Sequence, residues 1–326
     1  MGKAKLDVSS DGASIRIGPH FEVSFQRTLR IPDDDREYPL PPGLGTFPVC
    51  RVEDYAQRVP AAWREGGGFF IPMYQREALW MSFDVPSWRG CAVKVAVGRV
   101  NALTGKRLHR SLNRRSQNYL VCPDQPWLDG INAGPEVIRQ FVAMPMGMGY
   151  TVEGQVTGDE TSGGMQIIVY EPKPGKFPEK PPRARFRCRA GGDLCPCPEA
   201  GGEMGLGAGG QMRQSIYPDE YGWDTWDLDN YGEACIHIVN STVYRGITGC
   251  EPPATPISAR TYTEHGFPWF DLYDDGRGDL APARELTGVK SVKELDHEKG
   301  FGTQQDDTSV EVPPGHVKKL KGSQPS

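Results

Sequence analysis

The sequence contains no apolar run near the roughly 18 residues that a membrane-spanning helix needs, so no helical crossing of a bilayer is predicted. A dominant charge sign is also missing. Lys+Arg 37 against Asp+Glu 42 leaves a net charge of −5, and no global field draws the chain to nucleic acid or an anionic membrane. Met1 to Asp7 has no apolar stretch, and Leu6 stands where a myristoylation signal wants Ser or Thr. Neither a secretory leader nor a lipid anchor is therefore expected, and the cytoplasm is the expected compartment. No Walker phosphate loop and no Gly-x-Ser-x-Gly elbow occurs. His20, His109, His237, His265, His297 and His316 form neither HxH nor HExxH, which removes the helical two-histidine zinc site. Apolar residues are only 37%, and long periodic segments are lacking, which argues against a helical bundle, a coiled coil or a doubly wound α/β domain.

Glycine and proline are what the chain has in excess. Gly 40 and Pro 29 make about 21% of the 326 residues, against roughly 12% in an average domain. Turn signals recur every 10–15 residues between short apolar runs, the pattern of a β-sandwich or jelly roll. Ile15 and Ile17 alternate, as do Phe21, Val23 and Phe25. Val93, Val95 and Val97 read as a half-buried strand. Further strands are expected at Tyr119–Cys122, Val137–Met144, Tyr150–Glu153, Met165–Tyr170 and Glu233–Val239. Short helices are expected over 51–65, broken at Pro60, and over 241–247 and 258–264. Leu286, Val289, Val292 and Leu295 repeat every third residue, which suggests a terminal helix.

Composition divides the chain. Residues 1–14 read as a frayed start and 15–171 as a β-rich domain. Residues 172–210, with seven prolines and nine glycines, read as a linker or long loop. Residues 211–299 read as a smaller α+β region too slight to bury a core alone, and 300–326 as a disordered polar tail. The predicted class is β-rich α+β: an antiparallel sandwich-like or jelly-roll-like region with a smaller C-terminal region docked on it.

Four blocks stand out. They are Tyr38-Pro39-Leu40-Pro41-Pro42-Gly43-Leu44-Gly45, Pro72-Met73-Tyr74-Gln75-Arg76-Glu77-Ala78-Leu79-Trp80, Gln125-Pro126-Trp127-Leu128-Asp129-Gly130-Ile131 and Arg139-Gln140-Phe141-Val142-Ala143-Met144-Pro145. The last runs on into Gly149-Tyr150-Thr151-Val152-Glu153. Through them residues 38–170 or so resemble a family of proteins from fungi, protists and some bacteria, some fused to an N-terminal ubiquitin-like domain. The resemblance implies no activity and no site residue. The 37 residues before the first block are too short for a ubiquitin fold.

The eight cysteines sit mostly beside apolar residues and read as buried free thiols. Cys188-x6-Cys195-x-Cys197 is the best metal candidate, with Cys235 or His237 as a fourth ligand. Its CxC spacing lacks the CxxC knuckle, and a loop with incidental thiols is the plainer reading. Asp227-x-Asp229-x-Tyr231-Gly232 has calcium-loop spacing but lacks ligands at positions 5 and 12, so an Asx turn is the plainer reading. Gly205-x-Gly207-x-x-Gly210 matches a dinucleotide fingerprint by spacing alone. Cys235 and His237 would share one face of a strand. The basic run Arg107, Arg110, Arg114 and Arg115 with His109 reads as a solvated loop.

Two aromatic and acidic runs read as the binding surface: Trp223, Trp226 and Asp227, and then Trp269, Asp271 and Tyr273. Flat rings beside carboxylates suit a protein or carbohydrate ligand. The first functional reading is therefore a non-enzymatic binding or assembly protein without a cofactor, with a homo-oligomer left open. The alternative is a cofactor-free hydrolase of glycans or peptides using Glu153 with Asp129, or Asp271 with Asp274. A metal role through the three cysteines is the minor alternative.

Overall fold

The computed structural model describes residues 6–34, 36–180, 203–273 and 278–321. They form one 16-stranded sheet and a separate 2-stranded one. The backbone of the large sheet runs, in spatial order, through Val8–Ser10, Ser14–Ile17, Phe21–Thr28, Ala78–Asp84, Val137–Pro145, Glu203–Arg213, Trp226–Asn240, Met165–Pro172, Cys91–Val97 and Leu120–Cys122. All of these pairings are antiparallel. Phe69–Met73 adds to the 226–240 strand in parallel. Leu6 N–H donates to Tyr231 O at 3.1 Å, bringing the first strand back against the 226–240 strand. The β-rich, sandwich-like α+β class follows, with helices few and short. The alternating Ile15, Ile17, Phe21, Val23 and Phe25 all point into the main core, as period-two patterning requires.

The sheet does not respect the compositional boundaries. The 203–213 and 226–240 strands lie between 137–145 and 165–172, so the C-terminal half supplies central strands of the large sheet as well as the small separate one. Glu203–Gly210, read as linker, is strand. Its glycines serve close packing: a Cβ at Gly210 would sit 2.4 Å from Pro32 O. Residues 181–202 of the expected linker lie outside the described set. Val8–Ser10, expected to fray, pairs with Ser14–Ile17.

Local expectations fail where a residue type serves two structures. Tyr150–Glu153 is not a strand; Thr151 caps a helix, Val152–Thr157, by accepting the Gly154 N–H at 3.0 Å. The 91–97 strand is buried along its whole length, not on one face. Its polar position, Lys94, lies under the following loop and donates to the carbonyls of His109 (2.6 Å) and Ser111 (2.8 Å). The terminal helix is two helices, Arg284–Thr287 and Val292–Glu298, because Ser291 and Glu294 form a capping box that starts a new one.

The expected disordered tail is tied to the sheet. Val317–Lys321 pairs in parallel with Trp269–Tyr273. Asp307 is buried, where its carboxylate accepts from Arg30 (2.5 Å) and Arg76 (2.7 Å). Arg76 also reaches Asp296 (2.6 Å) and Asp306 (3.0 Å). Polar residues here answer buried arginines rather than water. Residues 322–326 lie outside the described set.

Candidate functional site

The site is built on the face of the sheet where two strands carry aromatic rings outward. Along Ala78–Asp84, Leu79, Met81 and Phe83 are buried, while Trp80 and Ser82 are half-buried on the opposite face. Trp127 pairs directly with Ser82, and Leu128 with Met81. Directly opposed residues share a face, so Trp127 joins Trp80 and Leu128 enters the core. Asp129, one step on, returns to the side of Trp127. Gly130 makes that step possible: a Cβ there would lie 1.9 Å from Arg139 O.

The proline-rich segment 40–43 closes one wall of this face. Leu40 and Phe270 exchange backbone hydrogen bonds of 2.7 and 2.9 Å, which fixes Phe270 at the rim. The result is a cleft of about 390 Å³ whose lining includes Leu40, Pro41, Pro42, Trp80, Trp127, Asp129 and Phe270. That volume lies in the range of small-molecule sites.

Asp129 is the one titratable group in the cleft lining among the described residues. It is 5% exposed, and its Oδ2 is buried with no hydrogen-bond partner among the described residues. Its backbone N–H is held by Gln214 Oε1 at 3.0 Å. Burial pushes the carboxyl up to about 7, while a hydrogen bond from the Trp127 side chain acts the other way. No cation among the described residues offsets the cost. An acid in this state is costly to keep unless something outside the chain meets it.

The predicted site residues are not brought together. Trp226 is buried in a small core with Tyr119, Tyr170 and Tyr231, whereas Trp269 is buried in the main core. The Trp226 indole donates to Asp219 Oδ2 at 3.0 Å and the Trp269 indole to Thr263 Oγ1 at 3.0 Å. Both rings are structural, because their periodicity places them inward. Trp223 is exposed. Asp227 accepts the Asp229 N–H at 3.0 Å, an Asx turn opening a strand, not a helix-flanked calcium loop. Asp271 stands opposite Lys319 on the small sheet. Tyr273 ends that strand, and its side chain lies outside the described set, as do Asp274, Cys188, Cys195 and Cys197. Among the described residues no group of three or more His, Cys, Asp or Glu is arranged to hold a metal ion.

Other candidates are occupied. The Glu153 carboxylate accepts from the backbone N–H groups of Thr161 (3.3 Å), Ser162 (2.9 Å) and Gly163 (2.8 Å), so it holds a loop and does not enter the cleft lining with Asp129. Cys235 Sγ and His237 Nε2 do share a face at 3.9 Å, but burial raises the thiol and lowers the imidazole, and both stay neutral. The His237 ring stacks on Trp63 at 4.4 Å. Arg110 of the basic run pairs with both oxygens of Glu233, at 2.6 and 2.7 Å, beside a second cavity of about 380 Å³.

Trp80, Trp127 and Phe270 are not among the site residues expected from the sequence, which offers Asp129 only as a catalytic acid. The signal for Phe270 is parity: in Trp269-Phe270-Asp271 the larger ring is buried and its neighbour lines the cleft. Protein-family models, curated proteins and solved structures give no significant match to this chain. No helix among the described residues is long and apolar enough to cross a membrane.

Proposed function

We propose that the protein is a non-enzymatic ligand-binding protein whose site is the cleft of Trp80, Trp127, Phe270 and Asp129. The observation that carries this is the buried, partnerless Asp129 oxygen beside half-buried rings. Rings supply contact area at small entropic cost, and a single polar group fixes orientation. Three of the four blocks behind the family resemblance contribute to the lining, through Leu40 to Gly43, Trp80, and Pro126, Trp127 and Asp129. We propose family membership on that ground as well.

The hydrolase reading keeps one favourable observation, an acid poised near neutrality. It lacks a partner: among the described residues the lining holds neither a second carboxylate nor a histidine. Glycoside hydrolysis needs two carboxyl groups across the bond.

The test is saturation-transfer NMR with a panel of methyl glycosides, capped amino-acid amides and small alkylammonium salts. At least one compound is expected to bind, and replacing Trp127 with Ala is expected to weaken it tenfold or more. Silence across the panel, or binding untouched in Trp127→Ala, overturns the assignment.

A further inference from the structure

We infer that the ligand of this cleft is a small organic cation, an alkylated ammonium of the choline type, held by Asp129 and the faces of Trp80, Trp127 and Phe270. The inference rests on the binding reading above and adds the chemical class of the ligand.

Three observations combine. First, Asp129 Oδ2 is buried and has no hydrogen-bond partner among the described residues. A sugar hydroxyl would satisfy that oxygen as a neutral acceptor, but only a cation also offsets the cost of ionising it there. Second, the rest of the lining is aromatic, proline and aliphatic, apart from Gly43 and Ser82. The faces of Trp rings attract cations, and most strongly where water is excluded. A bulky alkylated ammonium suits such walls because its methyl groups need no hydrogen bonds. Third, no Lys, Arg or His lines the cleft among the described residues. The 78–84 strand, the 127–128 strand, the 40–43 segment and Phe270 contribute no titratable side chain besides Asp129. No cation on these elements competes for the carboxylate, and among the described residues the one group that acts on it is the Trp127 side chain, by a hydrogen bond. A volume of about 390 Å³ fits a whole small molecule of this kind.

The chemistry predicts proton linkage. A cation prefers ionised Asp129, so binding drives its proton off. Affinity for the cation therefore rises with pH up to the midpoint of the free carboxyl and then levels. Below that midpoint it falls about tenfold per pH unit.

The experiment compares choline with 3,3-dimethylbutan-1-ol, its neutral isostere, by calorimetry at pH 8 and pH 5.5. At pH 8 choline is expected to bind at least tenfold more tightly than the isostere, and this preference is expected to shrink at pH 5.5. Asp129→Asn, checked for folding by circular dichroism, is expected to bring the two affinities within about threefold. Trp127→Leu provides a second variant: it should lose choline affinity more than isostere affinity. Equal binding of the two compounds by the wild type overturns the cation inference and leaves the binding cleft standing. Binding of neither, with other panel members still bound at Trp127, also overturns the cation inference alone. Binding of nothing in the panel removes both. Acetyl-trimethyllysine amide binding tenfold more tightly than choline would overturn the free-molecule assignment in favour of a modified peptide.

Discussion

Replacing Asp307 with Asn is expected to destabilise the protein by about 3–5 kcal/mol, the usual cost of breaking a buried ion pair on one side. The carboxylate is fully buried as a side chain and meets Arg30 at 2.5 Å and Arg76 at 2.7 Å. Its removal leaves two guanidinium groups sharing what remains. Desolvation already works against the Arg30 charge, and Arg76 beside it adds repulsion. The neighbouring Asp306 touches the same two arginines at 3.1 and 3.0 Å, but its side chain is 40% exposed. Asp306→Asn is therefore expected to cost about 1 kcal/mol or less. Urea unfolding of the two variants checks the contrast. Equal losses would mean that burial at 307 does not set the energetics of this network.

Asp129→Asn is expected to act in the opposite direction, and its sign depends on pH. The carboxyl keeps its proton in the folded chain up to about pH 7, whereas an ordinary aspartate releases it near 3.8. Between those values the folded state holds a proton that the unfolded state has lost. Stability therefore falls as pH rises through this window and levels above it. A gap from 3.8 to about 7, at about 1.4 kcal/mol per pH unit, is on the order of 4 kcal/mol. The Asn variant is expected to match the wild type near pH 4 and to exceed it by a few kcal/mol at pH 8. Thermal unfolding across this range gives the comparison. A variant less stable than the wild type at every pH would show that the carboxylate has a structural partner. A residue that lowers stability where the protein has a cleft is the usual mark of a site kept for function.

The two variants also show what sequence could and could not convey. Strand patterning was legible because period-two alternation follows directly from backbone geometry, as in Ile15 and Ile17, or Phe21 to Phe25. The helix expected over 241–247 forms as Ser241–Thr248, and it is opened by Asn240, whose side chain accepts the Thr242 N–H. What misled was composition read without partners. Asp306 and Asp307 look like solvated tail until Arg30 and Arg76 are placed beside them. The glycines from 205 to 210 look like a linker until their close neighbours are seen: Thr151 against Gly205, Tyr150 O against Gly207, Val142 against Gly209 and Pro32 O against Gly210.

The site failed for a related reason. Trp226 and Trp269 were chosen for size and acidic neighbours, yet both rings fill cores. The cleft joins Trp80, Trp127 and Phe270, residues far apart in sequence, through the pairing of Trp127 with Ser82 and the bridge of Leu40 with Phe270. No local spacing encodes such long-range pairings. Asp129 is visible as an acid, but that its Oδ2 finds no partner among the described residues is a property of the folded surroundings alone.

The most direct measurement is the carbon-13 NMR titration of the Asp129 carboxyl in the intact protein, first alone and then with saturating choline. A midpoint near 7 in the free protein, moving down by a pH unit or more with choline, is the expected result. A midpoint near 4, unmoved by choline, would contradict both the orphaned acid and the cation it is held to await.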